Sequence, residues 1–225
     1  MSFLFLDLET IPDQRPGAYD KILENVTAPG NYKKQESIDR WIAQHGEAEA
    51  QEQYHKTGLN GIAGEICSIA WAIDDGEIIG YTIPPSLPEA GLLDGFFKDV
   101  QYKVKKAGTG AHPSLTWIGH NVIDFDLRFL KQRCIVNQVQ PPFIIPADAR
   151  HGSRDVFDTM KAWAGWKGYV SQQALCEALG IEGKDDMTGA DVWPAYQAGK
   201  FEEILAYNKN DVRIVRELYR RMSWA

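Results

Sequence analysis

Phe3-Leu4-Phe5-Leu6-Asp7-Leu8-Glu9-Thr10 sets two carboxylates inside an apolar run that otherwise reads as a strand covered on both faces. Strand side chains alternate, so Asp7 and Glu9 point to the same side. Burying both carboxylates unpaired would cost on the order of several kcal/mol. The remedies are protonation, a basic partner or a divalent cation. No Lys or Arg occurs before Arg15, and carboxylate oxygens suit Mg²⁺ or Mn²⁺. The strand therefore reads as half of a metal site, and its other half is to be sought downstream.

The chain of 225 residues is long enough for one well-cored domain, and 44% hydrophobic with 24% charged residues is ordinary for a globular protein. A single domain over 1–225 is expected, with an insertion at about 13–60. The formal net charge of -7 argues against generic charge-driven binding of nucleic acid, although a local basic lining is compatible with it. Cys67, Cys134 and Cys176 are odd in number and lack metal-ligand spacing, which fits reduced thiols. No basic leader precedes the first apolar run, and no run approaches the roughly 20 residues of a membrane helix, so a cytoplasmic protein is expected.

After Thr10 the pattern dissolves into a loop to about Lys34, and Ser37 caps a helix that ends before Gly58. Glu65 to Ile73, an Asp74-Asp75-Gly76 turn and Glu77 to Ile83 read as two strands of an antiparallel meander with the first. Leu92, Phe96, Phe97 and Val100 mark a helix, and Leu115 to Gly119 a short fourth strand. From about Asp155 the pattern is mainly helical: Val156 to Trp163, Ser171 to Leu179, Ala190 to Gln197 and Phe201 to Met222. Together these give an α/β fold with a central mixed sheet, antiparallel strands first and parallel strands after, flanked by helices.

The helix after the fourth strand offers Asp124 and Asp126. Asp124 falls at the N-cap position, and Asp126 shares a face with Phe129, Leu130 and Arg133, which makes it the better ligand. In the last helix Tyr207 and Asp211 are one turn apart, beside an apolar stripe of Ile204, Leu205, Val212 and Val215. Asp158, in Phe157-Asp158-Thr159-Met160, reads as a cap rather than a ligand. Phe125 and Trp163 are exposed to two readings, base stacking or core packing.

Phe5-Leu6-Asp7-Leu8-Glu9-Thr10, Gly119-His120-Asn121 through Phe125-Asp126 with Leu130, and Tyr207-Asn208-Lys209-Asn210-Asp211-Val212 together resemble the motifs of the DEDD superfamily of 3′–5′ exonucleases, in the branch with a motif tyrosine. The nearest likeness is to predicted exonucleases related to the proofreading domain of family B DNA polymerases. It implies a ribonuclease H-like fold with a five-stranded sheet. It also implies two divalent ions, Mg²⁺ or Mn²⁺, about 3.5–4 Å apart, as two-ion hydrolysis requires. By this resemblance Asp7 bridges both ions, Glu9 and Asp211 complete the ion that activates water, Asp126 holds the second, and Tyr207 orients the attacking water. Leu8, Thr10 and Asn121 would lie near the terminal nucleotide, with Phe125 and Lys184 as further substrate contacts. Asn208 stands where the family more often has cysteine or another small residue, a departure expected to leave metal ligation untouched.

The activity so implied is release of 5′-mononucleotides from the 3′ end of DNA, single-stranded in the first instance. RNA is the alternative substrate, and a non-catalytic module that binds nucleic acid or a replication partner is the alternative class. Any polymerase partner would be a separate chain.

Overall fold

The computed structural model describes residues 2–106, 115–150, 152–183 and 187–224. Its sheet has five strands in the order β3-β2-β1-β4-β5, with β1 Ser2–Ile11, β2 Glu65–Ile73, β3 Ile79–Thr82, β4 Leu115–Gly119 and β5 Val156–Asp158. β3 runs antiparallel to β2, while β1, β4 and β5 are mutually parallel. The Asp74 amide meets the Phe3 carbonyl and Cys67 Sγ meets that of Glu9, so β2 runs opposite to β1. The mixed sheet is the one expected, but its fifth strand lies at Val156–Asp158, within a stretch read as helix. Three residues are too few for alternation to show, and the run continues directly into a helix, Thr159–Ala164.

The chain divides into two compact units, residues 1–9 with 66–225, and Thr10–Glu65. In the smaller, the stretch read as a loop contains α1, Ala18–Glu24, whose Tyr19 ring meets Tyr54 of α2 edge-on at 5.7 Å. The α2 helix spans Gln35–Thr57, starting three residues earlier than expected, with Lys34 rather than Ser37 at its N-cap and no side-chain bond there. Asp13 anchors this unit: its carboxylate takes Arg15 Nε at 2.8 Å, and its amide donates to Thr57 Oγ1 at 2.9 Å.

In the larger unit, alternation along β1 sorts the core. Leu4, Leu6 and Leu8 join Trp71, Trp117 and the buried faces of α3 Glu89–Lys106 and α4 Asp126–Val136. On the opposite face Phe5, Ala70, Ala72 and Ile118 pack against Val212 and Val215 of the last helix, Phe201–Ser223, which is numbered α8 after α5 Thr159–Ala164, α6 Gln172–Leu179 and α7 Val192–Gln197. Asp7 and Glu9 share the parity of Phe5, so the pleat that buries Phe5 turns both acids toward α8. The stripe of α8 that meets the sheet, Val212 and Val215, therefore brings Tyr207 and Asp211 to them.

All three cysteines are free and buried. Among the described residues no helix is long and apolar enough to cross a membrane.

Candidate active site

One carboxylate oxygen each from Asp7, Glu9 and Asp211 lies within 4.8 Å of the others, with Glu9 and Asp211 buried. They sit in a cleft of about 360 Å³ lined also by Leu8, His120, Asn121, Phe125, Asp126, Tyr169, Gln172 and Tyr207. Two strands contribute through their C-terminal ends, the usual place for a site on parallel strands.

Asp126 lines the same cleft but lies outside the three-acid group. It opens α4, and its Oδ1 accepts the Leu8 amide at 3.1 Å, which ties α4 to β1. Burial, followed by the Asp158 and Asp211 charges, pushes its carboxyl up to about 7, against the backbone N–H bonds that favour the anion. Tyr207 is bonded to Asp211, and burial together with the charges of Glu9, Asp211 and Asp7 pushes its phenol far above the ordinary range.

The loop from β4 to α4 is fixed by groups whose type follows from geometry. A Cβ on Gly119 would fall 2.6 Å from Val122 Cβ and 3.1 Å from the Leu6 carbonyl oxygen, so glycine is required there. Asn121 adopts φ 60, a left-handed conformation that asparagine tolerates better than most side chains. The Asp158 carboxylate holds this turn, accepting the amides of Asn121 at 3.0 Å and Ile123 at 3.1 Å while also capping α5 through Met160 and Lys161. The expected cap is thus also the brace of the second motif. Asp124 is not the N-cap of α4: Phe125 holds that position without a side-chain bond, and Asp124 pairs with Lys161 Nζ at 2.7 Å. The buried lysine takes the carboxylate that the amides would otherwise have received.

Asn208 is where the sequence reading needs correction. Its Nδ2 donates to Asp7 Oδ2 at 2.6 Å, and its Oδ1 accepts Ser68 Oγ at 3.0 Å, which in turn accepts Thr82 Oγ1 at 2.8 Å. A polar chain from β3 through β2 and α8 thus ends on Asp7, and Asn208 bears on the carboxylate expected to bridge metals. Ser68, polar in an apolar strand, was the available signal. His120 and Gln172 also carried no signal of their own. His120 Nε2 donates to the Val170 carbonyl at 3.0 Å, and Gln172 Nε2 to that of Asp211 at 3.1 Å.

Among the expected substrate contacts, Leu8, Asn121 and Phe125 line the cleft, Phe125 also packing on Phe129 at 5.5 Å. Thr10, the first residue of the smaller unit, is not among the lining residues. Lys184 lies outside the described residues.

Residues 85–224 match the family described as predicted 3′–5′ exonucleases related to the exonuclease domain of PolB. The chain belongs to this family. No match was found among curated proteins. The fold is similar to the family B DNA polymerase from the hyperthermophilic archaeon Pyrobaculum calidifontis, with a TM-score of 0.61 and 14% identity over 99% of this chain and 24% of that one. The chain thus spans about a quarter of that polymerase. The fold is ribonuclease H-like, and the family match begins after the strand that carries Asp7 and Glu9.

Proposed function

We propose that the protein is a metal-dependent 3′–5′ exonuclease that releases 5′-mononucleotides from single-stranded DNA. The convergence of Asp7, Glu9 and Asp211 within 4.8 Å carries this reading, because three acids drawn together at the end of a buried strand are costly without cations. The donors are all carboxylate oxygens, which fits Mg²⁺ or Mn²⁺. Asp7, Glu9 and Asp211 would hold one ion, with Asp7 shared and Asp126 turned toward a second. Such ions supply an activated water and stabilise the leaving 3′-oxygen.

The chain's own groups do the rest. Asn208 holds the Asp7 carboxylate in one orientation by its 2.6 Å bond, and this would favour its service as a metal ligand. Tyr207, its phenol held protonated by burial and by three neighbouring acids, donates that proton to Asp211 and leaves its oxygen to accept from, and so orient, the attacking water. Asn121, held in its turn by Asp158, presents its side chain to the terminal nucleotide, and the backbone at Leu8 would meet the sugar.

RNA hydrolysis at the same site is the second reading. The test is product analysis over time on single-stranded DNA and RNA of one sequence, with free and blocked 3′ ends, in Mg²⁺, Mn²⁺ or chelator. Metal-dependent mononucleotides from the free 3′ end of DNA are expected. Release from RNA alone would move the substrate. Release from neither, by folded protein, would leave a binding module.

A further inference from the structure

The last turn of α5 and the segment from it to α6 carry Trp163, Trp166 and Tyr169, which are 52%, 55% and 81% exposed. These are three of the six exposed Trp and Tyr residues among those described, within seven positions of sequence. Rings of this size usually bury most of their surface, so such a concentration in solvent calls for an occupant.

The segment has a fixed course. Its near end is α5, capped by Asp158. The Gly168 amide donates to the Gly165 carbonyl at 3.2 Å, Gly165 has φ +79, and a Cβ on Gly168 would fall 2.1 Å from the Ala164 carbonyl oxygen. Both glycines are therefore demanded by a tight turn that sets Trp166 and Lys167 outward. At the far end His120, itself a cleft residue, binds the Val170 carbonyl, and Ser171 caps α6. This anchorage makes Tyr169 part of the cleft that contains the acids.

We propose that Tyr169, Trp166 and Trp163 form a stacking platform for the unpaired bases of a nucleic-acid strand entering the cleft, with the exposed Lys167 facing its phosphates. The inference rests on the nuclease reading for which end of the strand occupies the acids. Continuity argues for this occupant: the innermost ring already lines the cleft, and the next ones follow at three-residue intervals. Three residues of chain reach at most about 10 Å, the span of two or three stacked nucleotides. Aromatic faces accept any base but need it unpaired, so the platform selects single strands over duplex ends. The cationic Lys167 between two rings is the composition expected for a strand with an anionic backbone.

The test is fluorescence anisotropy with labelled oligothymidylates of increasing length, from the dinucleotide upward, in chelator so that no cleavage intervenes. Affinity of the wild type should rise with length. Trp166→Ala and Tyr169→Ala should each weaken the longer oligomers by between about fivefold and a hundredfold and flatten the gain with length. Tyr169→Trp should restore it, which a merely structural role for the loop would not produce. Both side chains are exposed, so loss of folding does not confound the comparison. Binding curves of the alanine variants that superimpose on the wild type would overturn the platform. If the wild type binds with the length dependence described but releases no nucleotide, the nuclease reading fails and the platform stands. If it binds no oligomer at any length, the platform fails, and the metal-dependent release assay alone decides the nuclease reading.

Discussion

Glu89 at the start of α3 and the acids of the cleft are buried to a similar degree, with Glu89 5%, Glu9 7% and Asp211 3% exposed, yet they are held in opposite ways. Glu89 meets the Arg133 guanidinium through Nη2 at 2.6 Å and Nε at 3.0 Å, and it also accepts Asn137 Nδ2 at 2.6 Å and the Ile66 amide at 2.8 Å. Its charge is answered by a full cation and neutral donors, and it closes the contact between α3 and α4. Asp7, Glu9 and Asp211 converge instead on one another. An ion-paired acid such as Glu89 holds elements together, whereas acids gathered within a few ångströms repel one another, and a divalent cation among them would relieve that repulsion. The difference sets a structural ion pair apart from the candidate site.

That comparison can be broken most decisively by truncating one member of each kind. Asp7→Ala should abolish nucleotide release, a loss on the order of a thousandfold or more, while the melting temperature in chelator holds or rises because repulsion is removed. Glu89→Ala should do the reverse: about 3–5 kcal/mol of stability lost in denaturant titrations, because the Arg133 charge is stranded. Retention of activity in the first, or of stability in the second, would erase the distinction.

Asn208→Ala sharpens it further. Loss of the bond that orients Asp7 should weaken metal affinity by roughly 10- to 100-fold in calorimetric titrations while leaving all the acids in place. Asn208→Asp, which adds a fourth charge there, should weaken stability in chelator and recover part of it in Mg²⁺.

The effect that leaves every residue in place is in pH. Asp126 has its carboxyl raised to about 7, so the folded state holds a proton that the unfolded chain releases near the ordinary carboxylate value. Stability in chelator from this group is therefore present at low pH and falls as pH rises from about 4 through about 7, opposite in sign to a salt-bridged acid such as one with a lowered value. Melting curves in chelator across that range read it directly. Activity should move the other way and fall as pH drops below about 7, since metal ligation needs the anion.

The first strand was legible because period two places both acids on one face whatever surrounds them, and the spacing of Tyr207 and Asp211 was legible because an α-helix repeats every 3.6 residues. Asp126 was placed at the right element by its companions Phe129 and Leu130, which are buried as expected. What was not legible depends on contacts between distant segments. β5 has only three residues and is defined by pairing with β4 through Trp117, Ile118 and Gly119. The Ser68–Asn208–Asp7 chain joins residues 140 and 201 positions apart, and nothing local in α8 distinguishes an asparagine that turns toward a strand. Asp124 looked like a cap because capping is a local rule, and Lys161, 37 positions on, overrode it.

The most direct test of the central claim is calorimetric titration of Mn²⁺ into the wild-type protein, with Asp211→Asn alongside. The account predicts saturable binding by the wild type, a large loss of affinity in the variant, and a rise in melting temperature that follows occupancy in the wild type alone. Folded wild-type protein that binds no Mn²⁺, or equal binding by both proteins, would contradict it.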